Sequence, residues 1–452
     1  MDDPLIVSVS GLRGVMGTSL TAAVAARYAA AFAAGLPPGA IVIGRDGRES
    51  GPLLAAAISD TLCGLGRDVL ECGVAATPTV GIVVREEQAA GGIQISASHN
   101  PAQYNGLKLF SAAGRVLPAA AGAAVKQRFE AHAAAPQSSG ARGSLREVDG
   151  TAAHVRFVAA TVDVAAIRRH GPRVWLDSGH GAGSRVARPL LEHLGCTLIL
   201  EGGTPDGRFE HEPEPTATNL ADLLPKIAAA GADVGFFQDP DADRLAIATA
   251  DGRYIGEEGT LALAVDHVLG HTPGPIVINC STSMMAAEIA ARHGVACHMA
   301  AVGEANVVDL MLAERAVLGG EGNGGVIDPR VGLVRDSFAA MALVLDRMCA
   351  GDAITPLADL AAALPRLVMK KTKIDLTPRL RGAALAAGID RIEQAFPAAT
   401  ASRLDGLRLD WHGGWLLIRG SNTEPIVRLV AEAADEASVD DAIARAASAL
   451  LL

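Results

Sequence analysis

The sequence predicts an α/β fold: three similar α/β units with mixed sheets, followed by a smaller α+β domain. Three observations carry this. Apolar, β-branched runs alternate with Ala-rich stretches of helical length through most of the chain. The texture changes after the Pro- and Leu-rich residues 356–365, where hairpin-like strands replace the alternation. The length of 452 residues suits about three or four domains of ordinary size, and half of the residues are hydrophobic, so each domain can bury a core.

In the first unit, Ile41-Val-Ile-Gly precedes a helical stretch at residues 53–64, and Asp68-Val-Leu-Glu-Cys precedes another at Thr77–Glu86. Strand and helix in alternation imply mainly parallel pairing. Residues 133–143, rich in Ala, Pro, Ser and Gly, read as a linker or loop. A second series begins at Arg173-Val-Trp-Leu-Asp and continues through Thr197-Leu-Ile-Leu and Val234-Gly-Phe-Phe. A third runs from Gly256 through Pro275-Ile-Val-Ile-Asn and Val317-Leu-Gly-Gly. In the last unit, Leu407-Arg-Leu-Asp-Trp and Trp415-Leu-Leu-Ile-Arg make a hairpin around His412-Gly-Gly. The strand Ile426-Val-Arg-Leu-Val-Ala-Glu and an amphipathic helix over residues 439–450 follow. The expected domains are residues 1–145, 150–252, 253–364 and 368–452. Three units of similar size suggest an internal structural repeat, although sequence self-similarity is weak.

Composition narrows the function. A formal charge of -11 argues against nucleic acid or an anionic membrane as partner, while leaving room for arginines clustered in a cleft. The six cysteines are scattered without a CxxC pair, as in reduced core residues of a cytoplasmic protein. The acidic start Met1-Asp-Asp-Pro is unlike a signal peptide, and no run of about 18 apolar residues marks a membrane span.

Four clusters carry chemistry. The first is Ile95-Ser-Ala-Ser-His-Asn-Pro, with Lys108 one short loop further on. Ser98 in a polar turn after an apolar strand, with a cation nearby, suits a covalent intermediate. On that segment alone a Ser-rich turn before a proline explains it equally well. The second is Asp239-Pro-Asp-Ala-Asp-Arg244. On an extended segment Asp239, Asp241 and Asp243 project to one side, and three like charges with oxygen-only donors call for a hard cation such as Mg²⁺. An EF-hand loop would need Gly and Glu where Arg244 and Ala250 stand, and a helix before it instead of a strand. The third, Gly319-Gly-Glu-Gly-Asn-Gly-Gly325, contains a formal GxGxxG, but Pro329 disfavours the helix that a dinucleotide site requires. Glu321 there is better read as a hydroxyl-binding carboxylate, with a plain turn as the alternative. The fourth, Arg419-Gly-Ser-Asn-Thr-Glu-Pro-Ile-Val-Arg428, combines two arginines with hydroxyl and backbone donors, a competent phosphate cradle. Arg13, in Ser10-Gly-Leu-Arg, and Gly44-Arg-Asp-Gly-Arg-Glu-Ser50 bring further arginines, which would also suit a surface salt-bridge loop.

With all four clusters in this order, the chain resembles the α-D-phosphohexomutases, the family of phosphoglucomutase, phosphomannomutase and phosphoglucosamine mutase. The resemblance covers essentially all 452 residues. It implies three α/β domains and a C-terminal domain related to the TATA-binding-protein fold, around a central cleft. It implies that Ser98 carries a phosphoryl group and joins Asp239, Asp241 and Asp243 around Mg²⁺, with Arg13, Lys108 and Arg244 handling charge or protons beside it. Glu321, Asn323, Glu304 and His99 would face the substrate, His99 shaping the loop together with Asn100. Arg419, Ser421, Asn422, Thr423 and Arg428 would hold the phosphate that is not reacting. The implied ligands are a hexose phosphate and a hexose 1,6-bisphosphate activator, and the implied protein is a monomer or homodimer.

Three departures stand out. Asn323 and Gly325 occupy places where many relatives have Ser and His, Glu304 stands where others have His, and His180 replaces a common Asn. Acid–base roles of those histidines therefore do not transfer. The pairing of Val302-Gly-Glu304 with Glu321-Gly-Asn323-Gly-Gly looks most like archaeal-type phosphoglucosamine mutases, and a carboxylate at Glu304 would favour a 2-ammonium group. The first expectation is thus interconversion of glucosamine 6-phosphate and 1-phosphate. A phosphomannomutase/phosphoglucomutase of broad specificity comes second, and a non-catalytic sugar-phosphate-binding protein third.

Overall fold

Among the described residues the strands of this computed structural model form four sheets. Those residues are 4–132, 141–376, 380, 382–420 and 426–451. Most of the linker expected at 133–143 lies outside them. The first sheet contains β1 (Ile6–Ser8), β2 (Gly11–Val15), β3 (Ile41–Arg45), β4 (Val69–Val74), β5 (Gly91–Ile95), β6 (Tyr104–Ser111) and β7 (Leu145–Glu147), in the order β1-β2-β6-β5-β3-β4-β7. The second contains β8 (Arg173–Asp177), β9 (Thr197–Glu201), β10 (Val234–Gln238) and β11 (Leu245–Thr249), in the order β11-β10-β8-β9. The third contains β12 (Ile276–Asn279), β13 (Cys297–Ala300), β14 (Leu318–Glu321) and β15 (Gly325–Ile327), in the order β13-β12-β14-β15.

These three sheets share one unit. Its first strand lies between the second and third, both parallel to it, and a fourth returns antiparallel on the third. The unit is β4-β3-β5-β6, then β9-β8-β10-β11, then β13-β12-β14-β15. The repeat expected from unit size is therefore present in topology. The parallel strands are apolar because helices cover both faces, and β3, β10, β12 and β14 are buried almost throughout. The antiparallel fourth strand makes each sheet mixed. It also creates a hairpin turn at the C-terminal end of the third strand, the end where ligands bind in open α/β sheets. The serine, aspartate and Gly-rich clusters occupy those three equivalent turns.

The fourth sheet is antiparallel: β16 (Val368–Asp375), β17 (Thr400–Ser402), β18 (Leu407–Trp411), β19 (Gly414–Gly420) and β20 (Ile426–Ala433), ordered β16-β20-β19-β18-β17. Helices Ala383–Ala395 and Glu436–Leu451 cover one face through Ile392, Val439 and Leu450. The other face turns to the third unit, where Trp415 and Leu417 pack with Cys280.

The second and third units share one apolar core. Helix Ser337–Met348 runs through it, buried on every side, as its near-continuous apolar sequence requires. Its N-cap Asp336 accepts from Phe338 N at 2.8 Å and from His154 Nε2 at 2.8 Å, while His154 Nδ1 meets Thr79 Oγ1 at 2.9 Å. One buried polar chain thus ties the first three units together. Among the described residues all six cysteines are free and no helix is long and apolar enough to cross a membrane.

Candidate active site

Ser98 sits in the turn between β5 and β6 with φ 52°, a left-handed conformation that costs a non-glycine residue about 1–2 kcal/mol. Ala242 in the aspartate loop has φ 56°. Strain of this kind persists where surrounding bonds over-determine the backbone, and here the bonds are visible. Arg48, 2% exposed, donates to the carbonyls of Ser98 (2.7 Å), Asn100 (2.5 Å), Pro101 (2.6 Å) and Tyr104 (3.1 Å). Its Nε pairs with Asp46 Oδ2 at 3.0 Å, and that oxygen also accepts from Ser96 Oγ, which in turn accepts from Ser98 N. Gly44-Arg-Asp-Gly-Arg-Glu-Ser50 is therefore no surface salt-bridge loop; it holds the serine turn from beneath. Phe209, on a second-unit loop, lies 4.9 Å from the Arg48 guanidinium. His180 anchors that loop through Asp206 Oδ1 at 2.9 Å.

The aspartate turn meets the serine turn. Ser98 Oγ donates to Asp239 Oδ2 at 2.9 Å. Asp239, Asp241 and Asp243 are fully buried, and one oxygen from each falls within 4.8 Å of the others. Three units hold their backbone: Thr77 N donates to Asp241 O, Ala182 N to Pro240 O, and Ser337 Oγ to Ala242 O. Lys108 Nζ bridges Asp241 Oδ2 at 2.6 Å and Asp243 Oδ2 at 2.7 Å. Burial and the two neighbouring carboxylates push Asp239 well above the usual carboxylate range. Burial also works on Asp243, but Arg335, Lys108 and Arg244 outweigh it and hold that group far below.

These residues fit a hard cation. All donors are oxygens, and Asp241 Oδ1 and Asp243 Oδ1 are buried without a hydrogen-bond partner among the described residues. Arg244 Nε stands 3.7 Å from Asp243 Oδ1. Arg13 reaches the serine loop through Asn100 Oδ1 at 2.6 Å. His99 Nδ1 is 3.4 Å from Ser98 Oγ. Burial, with Arg244 and Arg13 close by, pushes its ring down to about 2, so it is uncharged near neutral pH.

The Gly-rich turn completes the centre. Gly324, at φ 81°, lets its carbonyl approach the strand after the aspartates and accept from Leu245 N at 3.0 Å. Glu321 Oε1 accepts from Asn279 Nδ2 (2.7 Å) and Gly303 N (3.1 Å), and Oε2 pairs with Arg335 Nη1 at 2.8 Å. Asn323 Oδ1 is buried and has no hydrogen-bond partner among the described residues. Glu304 has a protein partner that the sequence does not reveal. Its Oε1 accepts from Arg335 N at 2.9 Å and its Oε2 lies 3.3 Å from Arg335 Nε, so its charge is paired within the protein. The carboxylate expected to read an amine also faces a guanidinium, because burial at 9% exposed demands a paired charge.

At the fourth sheet, Arg419 and Arg428 are cross-strand neighbours, and Lys373 stands opposite Arg428 on the other side. Register places three cations in one row, on the sheet face turned to the third unit. Arg419 Nε pairs with Asp405 Oδ1 at 2.9 Å, and Asp405 Oδ2 accepts from Val302 N at 3.1 Å, close to Glu304 in the chain. Ser421, Asn422 and Thr423 lie outside the described residues.

Sequence reasoning alone misses four residues important to this geometry: Arg335, Asn279, Thr77 and Lys373. Asn279 ends β12 and Thr77 follows β4, the position from which a side chain reaches the ligand edge, and that is the available signal. Lys373 is legible only from strand register, and Arg335 only from the fold.

Comparison with known proteins agrees with this architecture. Family models for phosphoglucomutase/phosphomannomutase match in order: α/β/α domain I at residues 5–136, domain II at 152–252, domain III at 257–368 and the C-terminal domain at 380–449. A phosphoglucomutase/phosphomannomutase of Thermococcus kodakarensis is 33% identical over 434 residues, 94% of each chain. A Methanopyrus kandleri protein named "Probable phosphoglucosamine mutase" is 31% identical over 429 residues, 94% of this chain and 93% of that one. The crystal structure of a phosphoglucomutase/phosphomannomutase family protein from Burkholderia thailandensis superposes with a TM-score of 0.85 at 28% identity, covering 98% of both chains. With all four domain models matched in order over a shared fold, the chain belongs to the phosphoglucomutase/phosphomannomutase family of α-D-phosphohexomutases, enzymes of the isomerase class.

Proposed function

We propose that the chain interconverts a hexose 6-phosphate and its 1-phosphate through a phosphoryl group carried on Ser98. The observation that carries this reading is Ser98 Oγ, 2.9 Å from Asp239 Oδ2, in a turn clamped by Arg48. A site that only bound sugar phosphate would need neither a strained nucleophile nor three buried carboxylates beside it.

In the proposed reaction the bond from phosphorus to Ser98 Oγ breaks and a bond from phosphorus to the free sugar hydroxyl oxygen forms. The hydroxyl proton ends on Ser98 Oγ, so the exchange balances without a further reactant. The bisphosphate reverses in the cleft and the other phosphoryl group returns to Ser98. Asp239, Asp241 and Asp243 would hold Mg²⁺, which when bound supplies positive charge against the phosphoryl oxygens. Lys108, Arg13 and Arg244 add fixed positive charge where electrostatic stabilisation dominates phosphoryl transfer. Arg419 and Arg428 grip the phosphate that is not reacting, and Glu321 receives sugar hydroxyls.

For the sugar, glucosamine phosphate is the first reading, supported by the Methanopyrus relative's name and the sugar-loop sequence. One observation favours a second reading, a phosphomannomutase/phosphoglucomutase of broad specificity: the charge of Glu304 is already balanced by the Arg335 guanidinium. The test supplies glucosamine, glucose and mannose 1-phosphates with Mg²⁺ and a trace of the matching bisphosphate, and compares kcat/KM. A preference of about tenfold or more for glucose or mannose replaces the first reading with the second. No turnover of any of them removes the hexose mutase reading.

A further inference from the structure

Arg335 sits where the aspartate and Gly-rich turns meet, 7% exposed, and no proposed step uses it. Its guanidinium touches carboxylates from three segments: Asp243 Oδ2 at 2.6 Å through Nη2, Glu321 Oε2 at 2.8 Å through Nη1, and Glu304 Oε2 at 3.3 Å through Nε. Its backbone N–H holds Glu304 Oε1 as well. Asp336, the next residue, caps the buried helix Ser337–Met348, so the Arg335 backbone is fixed to the molecule's main core.

The three contacts have different consequences. At Glu321 the planar fork fixes orientation: Nη1 takes Oε2 while Asn279 and Gly303 take Oε1, so the carboxylate plane cannot rotate. At Asp243 the contact is one of charge, since the same Oδ2 also accepts Lys108 Nζ. A cation drawn to the aspartate triad meets the positive charge of Arg335 already there.

We infer that Arg335 is a positioning residue with two opposed effects: it aims Glu321 at the sugar, and it lowers the affinity of the aspartate triad for its cation. The inference rests on the phosphohexomutase reading of the cleft. It separates Arg335 from a merely structural arginine, whose loss would weaken every ligand together.

The experiment uses the full-length, dephosphorylated enzyme, in which a hexose monophosphate binds without turnover. Calorimetry measures the Kd of Mg²⁺ alone, then of glucosamine 6-phosphate and glucose 6-phosphate at saturating Mg²⁺. Arg335→Met is expected to tighten Mg²⁺ by about threefold or more and to weaken the sugar phosphates by about tenfold or more. Arg335→Lys keeps the charge without the fork, so it should restore the wild-type Kd for Mg²⁺ while sugar phosphate binding stays weak. Weakening of both ligands in Arg335→Met, or unchanged sugar phosphate binding in either variant, overturns the inference. Should Arg335→Met fail to fold, Arg335→Lys alone decides: sugar binding weakened with Mg²⁺ unchanged supports it, and any other pattern overturns it. If the wild type binds Mg²⁺ but neither sugar phosphate, the hexose reading itself falls, and the inference with it.

Discussion

Ser98 Oγ donates to Asp239 Oδ2 across 2.9 Å, although the two residues lie 141 positions apart and on different sheets. The contact exists because both occupy the same place in a repeated unit, the turn between its third and fourth strands. Glu321 and Asn323 hold that place in the third unit. Three turns of one topological kind thus bring Ser98, the carboxylate triad and Glu321 to a common centre.

Arg48 should matter more than a loop arginine. Arg48→Met leaves buried Asp46 without its counter-charge and frees four carbonyls under Ser98. Breaking a buried pair in this way costs about 3–5 kcal/mol, which urea denaturation would read. Arg48→Lys should recover part of the stability but little of kcat, since one ammonium cannot span those carbonyls. A lysine variant with wild-type kcat would show that the clamp is not needed.

Mg²⁺ should stabilise the fold through the aspartate triad. At free Mg²⁺ of about 100 times its Kd the gain is about 2.7 kcal/mol, visible as a rise in Tm that chelation reverses. Asp241→Asn should abolish that rise. A variant that still responds to Mg²⁺ as the wild type does would place the cation elsewhere.

Lys373 faces Arg428, which faces Arg419. Like charges in register repel, and a phosphate dianion relieves them. Lys373→Met should raise KM for hexose phosphates by about three- to tenfold with kcat nearly unchanged, the pattern of lost ground-state binding. A lower kcat at constant KM would contradict this.

The His211–Asp177 pair should give stability a dependence on pH. Burial works against the charged ring, but the hydrogen bond and charge of Asp177, at 2.7 Å, with Glu210 adding, raise His211 above its ordinary 6.5. A raised folded value means that the folded state holds the proton more tightly. Its contribution is full below pH 6.5 and is lost as pH rises through the raised value. His211→Gln should therefore lower stability to urea at about pH 5.5 and change it little at about pH 9. Equal losses at both would assign the pair a neutral packing role.

Much of this is legible in the sequence, for physical reasons. Period and length expose the strands: Arg173-Val-Trp-Leu-Asp and Val234-Gly-Phe-Phe are buried runs that form β8 and most of β10. The aspartates are legible because three carboxylates at alternate positions repel one another unless a cation sits among them. The pairing of Glu304 is hidden because a carboxylate looks free in sequence until its guanidinium partner, 31 residues away, is placed. Arg48 and Lys373 are illegible for the same reason: one acts on carbonyls some 50 residues distant, and the other gains meaning only from strand register.

Whether Ser98 is the phosphoryl relay is tested most directly by intact mass. Wild type and Ser98→Ala are each incubated with a hexose 1,6-bisphosphate and Mg²⁺, freed of ligand and weighed. The prediction is one added phosphoryl group on the wild type, removed by excess hexose monophosphate, and none on Ser98→Ala. An unmodified wild type, or an adduct that survives in Ser98→Ala, would contradict it.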